Sequence, residues 1–160
     1  MCSSDLLTLV ALNPLAPFHD QAIQAAGLHF WIGGQPATYC PSSVPQTLCP
    51  PGNQTVLAGS GLSVLVPGGQ QMYIQDNGAW AFTQAHSNDM YNVSYYGGGS
   101  GFVNGGYFGP NSTYWVACPV GQQWQVFANL PSVTFSESCL GFYALVVKVP
   151  GGTLGAWQYI

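Results

Sequence analysis

The sequence predicts an all-β fold: a single, disulfide-stapled antiparallel domain, built either as a trefoil-like β-barrel or as a β-sandwich of two sheets. Three observations lead to this prediction. Apolar runs rich in β-branched and aromatic residues end at Gly and Pro, turn signals separate pairs of such runs, and the cysteines lack metal-site spacing. With 160 residues, 48% of them hydrophobic, the chain suits one domain spanning 1–160.

The strongest strand signal is residues 141–149, Gly-Phe-Tyr-Ala-Leu-Val-Val-Lys-Val, which a Pro-Gly-Gly sequence terminates. We expect it to be a central strand. Residues 6–12 and 62–66 are similar apolar runs, ended by Asn-Pro and Pro-Gly-Gly. The best helical pattern, residues 20–28, is closed almost at once by glycines, so no helix is predicted.

Two hairpins are predicted, one over residues 72–82 about Asn77-Gly78 and one over 114–128 about Pro119-Val120-Gly121. Residues 71–149 should therefore hold the core. A weak repeat relates residues 23–27, 74–78 and 102–106, each followed by an aromatic run. Three such hairpins favour the trefoil-like barrel, whereas their unequal spacing favours the sandwich.

Charge is scarce, at 4% of residues against roughly a quarter in average soluble proteins. Lys148 is the only Lys or Arg, so the chain cannot neutralise a run of nucleic-acid phosphates. It also lacks a polybasic segment for anionic lipid, and no apolar run approaches the roughly 20 residues that span a bilayer. Nucleic acid and membrane are excluded as partners.

N-glycans are the predicted source of the missing hydrophilicity. Three N-x-S/T sequons occur in loop-like sequence, at Asn53, Asn92 and Asn111. Because N-glycans are added in the secretory pathway, these sequons predict a secreted glycoprotein, although chance sequons in an Asn-, Ser- and Thr-rich chain are the alternative.

The five cysteines favour disulfides over a zinc site. They are Cys2, Cys40, Cys49, Cys118 and Cys139. Local pairing of the last four, in sequence order, would add about 3 kcal/mol per bridge and leave Cys2 unpaired. Disulfides also imply secretion, yet no signal peptide is visible, so residues 1–5 are expected to be a non-native start.

No catalytic machinery, metal site or cofactor motif is recognisable. Only five carboxylates could supply a glycosidase pair: Asp5, Asp20, Asp76, Asp89 and Glu137. Asp76 is most simply a turn residue, and the pairs His19-Asp20 and His86/Asp89 lack the spacing of a ligand motif. The glycine runs at 59–61 and 97–101 match neither a nucleophile elbow nor a phosphate loop, so no enzymatic activity is expected.

Aromatic residues provide the candidate contact sites. Trp80, Trp115 and Trp124 lie in predicted strands, where filling the core is the simpler interpretation. Candidate sugar or partner contacts are the loop residues Tyr95, Tyr96 and Tyr107 and the tail residues Trp157 and Tyr159. The tail, residues 150–160, is expected either to dock on a neighbouring molecule by strand addition or to close its own sheet.

Residues 62–149 resemble a family of small secreted fungal cell-wall proteins that includes IgE-binding antigens and a phialide-development cell-wall protein. The resemblance rests on Tyr-Ile-Gln-Asp-Asn-Gly at 73–78, Val-Ala-Cys-Pro at 116–119 with Trp-Gln-Val-Phe-Ala at 124–128, and Cys-Leu-Gly-Phe at 139–142. It implies a Cys118–Cys139 bridge and a structural or surface-associated wall role without enzymatic activity.

The chain departs from this family in its 40–49 insertion, its Gly/Tyr-rich loop at 95–109 and its low charge. An uncharged surface offers little electrostatic opposition to self-association. Two hypotheses follow. The first is a structural glycoprotein of a fungal-type cell wall or extracellular matrix that self-assembles into a homopolymer or fibril, and the second is a lectin-like module that binds wall polysaccharide through loop aromatics.

Overall fold

The computed structural model describes residues 5–96, 103–104, 106–109 and 115–160. Within these ranges the chain forms fifteen strands and one three-residue 3₁₀ turn, Gln46–Leu48. The strands are β1 (Leu6–Leu12), β2 (Ile23–Ala26), β3 (His29–Ile32), β4 (Thr38–Tyr39), β5 (Leu57–Ala58), β6 (Gly61–Leu62), β7 (Met72–Gln75), β8 (Trp80–Phe82), β9 (Val93–Tyr96), β10 (Val103–Asn104), β11 (Tyr107–Phe108), β12 (Trp115–Val120), β13 (Gln123–Ala128), β14 (Leu140–Val149) and β15 (Gln158–Tyr159). The prediction of an all-β fold is confirmed.

The main sheet has the antiparallel order β6-β5-β1-β14-β12-β13-β3-β8-β7-β9, with β2 beside β3 and the β10–β11 hairpin beside β14. A second, two-stranded sheet pairs β15 with β4. Among the described strands, the ladder does not close into a barrel. Only a single bridge, Gly61↔Gln71, joins β6 to the residue before β7, so a sandwich-like all-β layout fits and the trefoil-like barrel is not established.

Strand β14 is the centre of the sheet, as its apolar sequence predicts. It pairs with β1 over seven positions, from Leu6↔Val149 to Leu12↔Tyr143, and with β12 on its other side. The predicted strand at 6–12 is also confirmed. The predicted strand at 62–66 is shorter than expected because the N–H groups of Leu65 and Val66 bond to the C-terminal segment instead.

Both predicted hairpins form. In β7–β8, Ile74 pairs with Trp80, and Gly78 has a φ of 90° with the Ala128 carbonyl oxygen 2.7 Å from where a Cβ would lie. Only glycine fits that position. In β12–β13, Val120 pairs with Gln123, so the turn is Gly121-Gln122 and lies later than the predicted 119–121 turn.

All three members of the weak sequence repeat are hairpins: β2–β3, β7–β8 and β10–β11. Each has a glycine with positive φ at its turn and an aromatic residue two or three positions later. Those aromatics meet in the core, where Phe30 stacks on Trp80 at 3.7 Å between ring centroids and Phe108 lies 5.7 Å from Trp80. Because β1, β2 and β3 also supply buried side chains, the prediction that 71–149 holds the core is too narrow.

The tryptophans fill the core as predicted. Trp80 and Trp115 are buried, with ring centroids 4.7 Å apart. Trp124 is half-buried and contacts Phe18 edge-to-face at 5.0 Å. Trp80 and Trp115 are therefore not available as sugar-stacking platforms.

Two disulfides staple the domain. Cys40–Cys49 closes the Pro-rich segment after β4, and Cys118–Cys139 joins β12 to the residue before β14. The Cα atoms of the bridged pairs are 6.0 and 4.2 Å apart. Cys2 lies outside the described residues.

The C-terminal segment closes its own sheet. Tyr159 is fully buried, its hydroxyl donates to the Gln54 carbonyl oxygen at 2.7 Å, and it accepts from the Val56 N–H at 3.2 Å. The side-chain amide of Gln70 donates to the Tyr159 carbonyl and accepts the Tyr159 N–H, both at 2.9 Å. The prediction that Tyr159 contacts a sugar or partner is therefore wrong, since every one of these polar groups is satisfied within the chain.

Alkaline unfolding should report this burial. Desolvation raises the pKa of Tyr159 from 10.0 to about 12, although its hydrogen bond with the Val56 N–H acts to lower it. The folded state favours the buried neutral phenol, so Tyr159 makes its full contribution to the free energy of unfolding below pH 10. This contribution is lost as pH rises from 10 to 12, by about 1.4 kcal/mol per pH unit. We expect the free energy of unfolding, measured by denaturant titration at each pH, to fall less steeply with pH in Tyr159→Phe than in the exposed-site control Tyr39→Phe. Equal slopes would contradict the expectation.

Candidate functional site

The solvent-facing side of the β1–β14 ladder is apolar. Leu7, Leu9 and Ala11 point into the core, so the alternate residues of β1 and their partners on β14 point outward. We call this surface the outer ladder face. Its four cross-strand pairs are Leu6↔Val149, Thr8↔Val147, Val10↔Leu145 and Leu12↔Tyr143.

Thr8 is the only polar side chain among these pairs besides the Tyr143 hydroxyl, and none of them is charged. Val147 is 42% exposed and Tyr143 46% exposed. Singly exposed apolar residues are ordinary, but a contiguous apolar sheet face is typical of a contact surface. The outer ladder face is therefore a candidate contact surface that carries no charge.

A groove of about 410 Å³ lies at one end of the outer ladder face. It is lined by Leu12, Asn13, Pro14, Tyr107, Gly141, Phe142 and Tyr143. Tyr107 reaches it from β11, whose pairing with Leu145 sets it on the outer side of the sheet. Its volume lies within the range of small-ligand pockets.

Two tyrosine rings form one wall of this groove. The centroids of Tyr107 and Tyr143 are 5.2 Å apart with the ring planes inclined by 44°, and both rings are more than one-third exposed. Such rings offer an apolar face and a polar hydroxyl together. This combination suits a ligand with apolar C–H faces and hydroxyl rims, as sugars have.

Asn13 also lines the groove, and hydrogen bonds hold it in place. Its side-chain amide donates to the Gly141 carbonyl at 2.7 Å, its backbone N–H donates to Nδ1 of His19 at 3.0 Å, and its side-chain oxygen accepts the Leu15 N–H at 3.1 Å. These bonds fix the turn that follows β1. Leu15, in this turn, is 95% exposed.

The predicted contact residues whose side chains the structure describes do not assemble into one site. Tyr107 lies in the groove, whereas Trp157 is half-buried near β15 and Tyr159 is in the core. Tyr95 and Tyr96 belong to β9, and their side chains lie outside the described part of the chain. Tyr143 was missed because it sits inside the most apolar run of the sequence, although its alternation with Phe142 and Ala144 could have shown that it points outward.

Of the predicted glycosylation sites, Asn53 and Asn92 are both exposed. Asn111 lies outside the described residues.

All five carboxylates are exposed and lie in different turns or loops or, for Asp5, just before β1. Asp5 forms an ion pair with Lys148, with 3.3 Å between the carboxylate oxygen and the ammonium nitrogen.

Among the described residues no group of three or more His, Cys, Asp or Glu side chains could hold a metal. In the same part of the chain, no helix has the length and apolar character needed to cross a membrane.

Comparisons with known proteins identify the relatives of this chain. The family of PhiA-like secreted proteins matches residues 7–160. An uncharacterized secreted protein of Arthroderma benhamiae is 43% identical over 153 residues, a match covering 86% of this chain and 76% of that protein. No solved structure gives a significant match. The resemblance seen in the sequence is confirmed: the chain is a secreted protein and belongs to the fungal PhiA-like secreted family.

Proposed function

We propose that this protein is a non-enzymatic structural glycoprotein of the fungal cell wall or extracellular matrix. The observation that carries the proposal is the outer ladder face, an uncharged and apolar sheet surface turned toward solvent. Contacts made through such a face depend on burial of apolar area and are insensitive to ionic screening. That property suits a protein retained among neutral wall polymers.

Durability supports the same role. Two disulfides constrain the unfolded chain, by about 3 kcal/mol each on the loop-entropy estimate. N-glycans at Asn53 and Asn92 would cover exposed positions and supply the hydrophilicity that charges do not. The same outer ladder face could also pair two copies of the chain, which is how assembly into a homopolymer would begin.

Retention on isolated fungal walls tests the proposal. Val147→Lys introduces a charge into the outer ladder face, and Leu48→Lys introduces the same charge at a residue that is 56% exposed elsewhere. The wild type and Leu48→Lys should stay bound through a high-salt wash, and Val147→Lys should be released. Equal retention of all three proteins would contradict a role for this face, and native mass spectra showing only monomer would contradict assembly.

The absence of catalysis is part of the proposal and needs its own measurement. Release of soluble sugar from wall polysaccharide should be null for the wild type and equally null for Asp76→Ala, Asp89→Ala and Glu137→Ala. Activity that any of these variants abolishes would refute the proposal.

The groove supports a second candidate function, binding of a neutral polysaccharide. Its described lining carries no charge at neutral pH, and it combines the Tyr107 and Tyr143 rings with the polar Asn13 turn. A neutral glucan or chitin chain matches these features, because each sugar offers an apolar face to a ring and hydroxyls to polar groups.

Removing either groove tyrosine should weaken such binding. We expect Tyr107→Ala and Tyr143→Ala each to raise the dissociation constant for a neutral wall oligosaccharide by about tenfold, the equivalent of roughly 1.4 kcal/mol. Tyr91→Ala, at a 57% exposed ring outside the groove, is the matched control. Calorimetric titration with glucan and chitin oligosaccharides makes the measurement. No binding by the wild type, or equal losses in all three variants, would exclude the groove.

A further inference from the structure

The first sequon, Asn53-Gln54-Thr55, is built into the folded domain. Asn53 is exposed, but Thr55 is 5% exposed, and its hydroxyl donates to the Gln24 side-chain oxygen at 3.0 Å. The same hydroxyl accepts the Ala25 N–H at 2.9 Å. The donor of the Thr55 hydroxyl and one of its two acceptor lone pairs are therefore used by β2.

The backbone on either side of Thr55 is held by a second contact. The Tyr159 hydroxyl donates to the Gln54 carbonyl and accepts the Val56 N–H. These bonds span 105 and 103 residues, so they form only after the C-terminal segment has docked. Closure of the sequon therefore requires that β15 is in place.

The second sequon, Asn92-Val93-Ser94, provides a comparison within the same chain. Asn92, Val93 and Ser94 are all exposed; Asn92 immediately precedes β9, and Val93 and Ser94 begin this strand, the last at one end of the sheet. The Asn92 backbone carbonyl accepts the Asp76 N–H, but the Ser94 hydroxyl is accessible to solvent.

We propose that Asn53 is glycosylated only before the domain folds, and that docking of Tyr159 ends its availability. An N-glycosylating enzyme must reach the asparagine amide and the hydroxyl two residues later, because both define its acceptor. In the folded protein the Asn53 amide is exposed while the Thr55 hydroxyl is inaccessible. Reaching it requires opening of the clamp formed by Gln24, Ala25 and Tyr159.

The reaction is a group transfer from a lipid-pyrophosphate-linked oligosaccharide. A bond forms between Asn53 Nδ2 and the anomeric carbon of the first sugar, and the bond from that carbon to the donor phosphate breaks. The amide nitrogen loses one proton, and the lipid pyrophosphate is the leaving group. No oxidation or reduction is involved, so the two disulfides remain unchanged.

Transfer to the finished protein tests the proposal directly. Unglycosylated, disulfide-bonded chain from a bacterial host is offered to purified oligosaccharyltransferase with its lipid-linked donor, in parallel with reduced and alkylated, unfolded chain. Mass spectrometry of chymotryptic peptides then gives the transfer rate at each site. Folding should slow transfer at Asn53 at least about tenfold more than at Asn92, since access requires local opening. Equal slowing at the two sites, or an Asn53 that stays unmodified in the unfolded chain, would overturn the proposal.

Loosening the clamp provides the second arm. Tyr159→Phe removes both hydrogen bonds of the hydroxyl but keeps the ring, and it should raise folded-state transfer at Asn53 several-fold without a matching rise at Asn92. Phe142→Leu, whose ring contacts Phe18 away from the sequon, is the control for general destabilisation. If Phe142→Leu raises transfer at Asn53 as much as Tyr159→Phe does, general unfolding rather than the clamp controls the site, and the proposal fails. None of these readouts depends on wall binding or assembly.

Discussion

Trp80→Ala is expected to lower the free energy of unfolding by about 3–5 kcal/mol, the range for removing a fully buried tryptophan. Trp80 is fully buried where the three repeat hairpins meet. Its ring stacks on Phe30 at 3.7 Å and contacts Trp115 at 4.7 Å and Phe108 at 5.7 Å. The substitution therefore removes contacts that hold β2–β3, β7–β8 and β10–β11 together, and denaturant unfolding followed by circular dichroism would measure the loss.

A pair of conservative substitutions separates packing from hydrogen bonding at this centre. Trp115 Nε1 donates to the Phe108 carbonyl at 2.8 Å, whereas Trp80 Nε1 is buried without a partner among the described residues. Trp115→Phe gives up a buried hydrogen bond to the Phe108 carbonyl, and Trp80→Phe removes a donor that has no partner. We expect Trp115→Phe to cost about 1–2 kcal/mol more than Trp80→Phe. The reverse order would show that ring volume, rather than the N–H group, decides stability at these two positions.

The sequence was most informative where local chemistry decides structure. Strands β1 and β14 and the 72–82 hairpin follow from apolar runs and turn residues, which act over a few positions. The weak repeat also predicted three hairpins correctly. It could not decide between a closed barrel and a sandwich, because that choice depends on contacts between distant segments, such as the isolated Gly61↔Gln71 bridge, which no local sequence pattern predicts.

The candidate site was only half predictable for the same reason. Tyr107 was singled out because glycine-rich loop sequence surrounds it. Tyr143 joins it only because β11 pairs with β14, a contact across more than thirty residues. Tyr159 was misjudged because an aromatic residue in a Gly-rich tail looks available for a partner, and nothing local shows that Gln54, Val56 and Gln70 satisfy its polar groups.

Gln70→Ala is expected to lower the free energy of unfolding about as much as Trp80→Ala does, although Gln70 is polar and lies outside the strands. Gln70 is 1% exposed, and its amide makes three hydrogen bonds: to the Thr83 carbonyl at 3.0 Å and to the carbonyl and N–H of Tyr159 at 2.9 Å. The Gln70 side chain thereby connects Thr83, the residue after β8, to β15.

Alanine at position 70 would leave those three backbone groups unpaired in a buried setting, at roughly 1–3 kcal/mol per group before relaxation. We expect a loss of about 3–5 kcal/mol in the free energy of unfolding, with β15 exchanging its amide hydrogens faster than β14 does. Gln71→Ala is the matched control, because the neighbouring amide bonds the Ser60 hydroxyl at an exposed position. It should cost less than about 1 kcal/mol. If both variants lose the same amount of stability, the Gln70 amide is not what holds the C-terminal strand, and the pairing of β15 with β4 and the hydrogen bonds of the Tyr159 hydroxyl are sufficient.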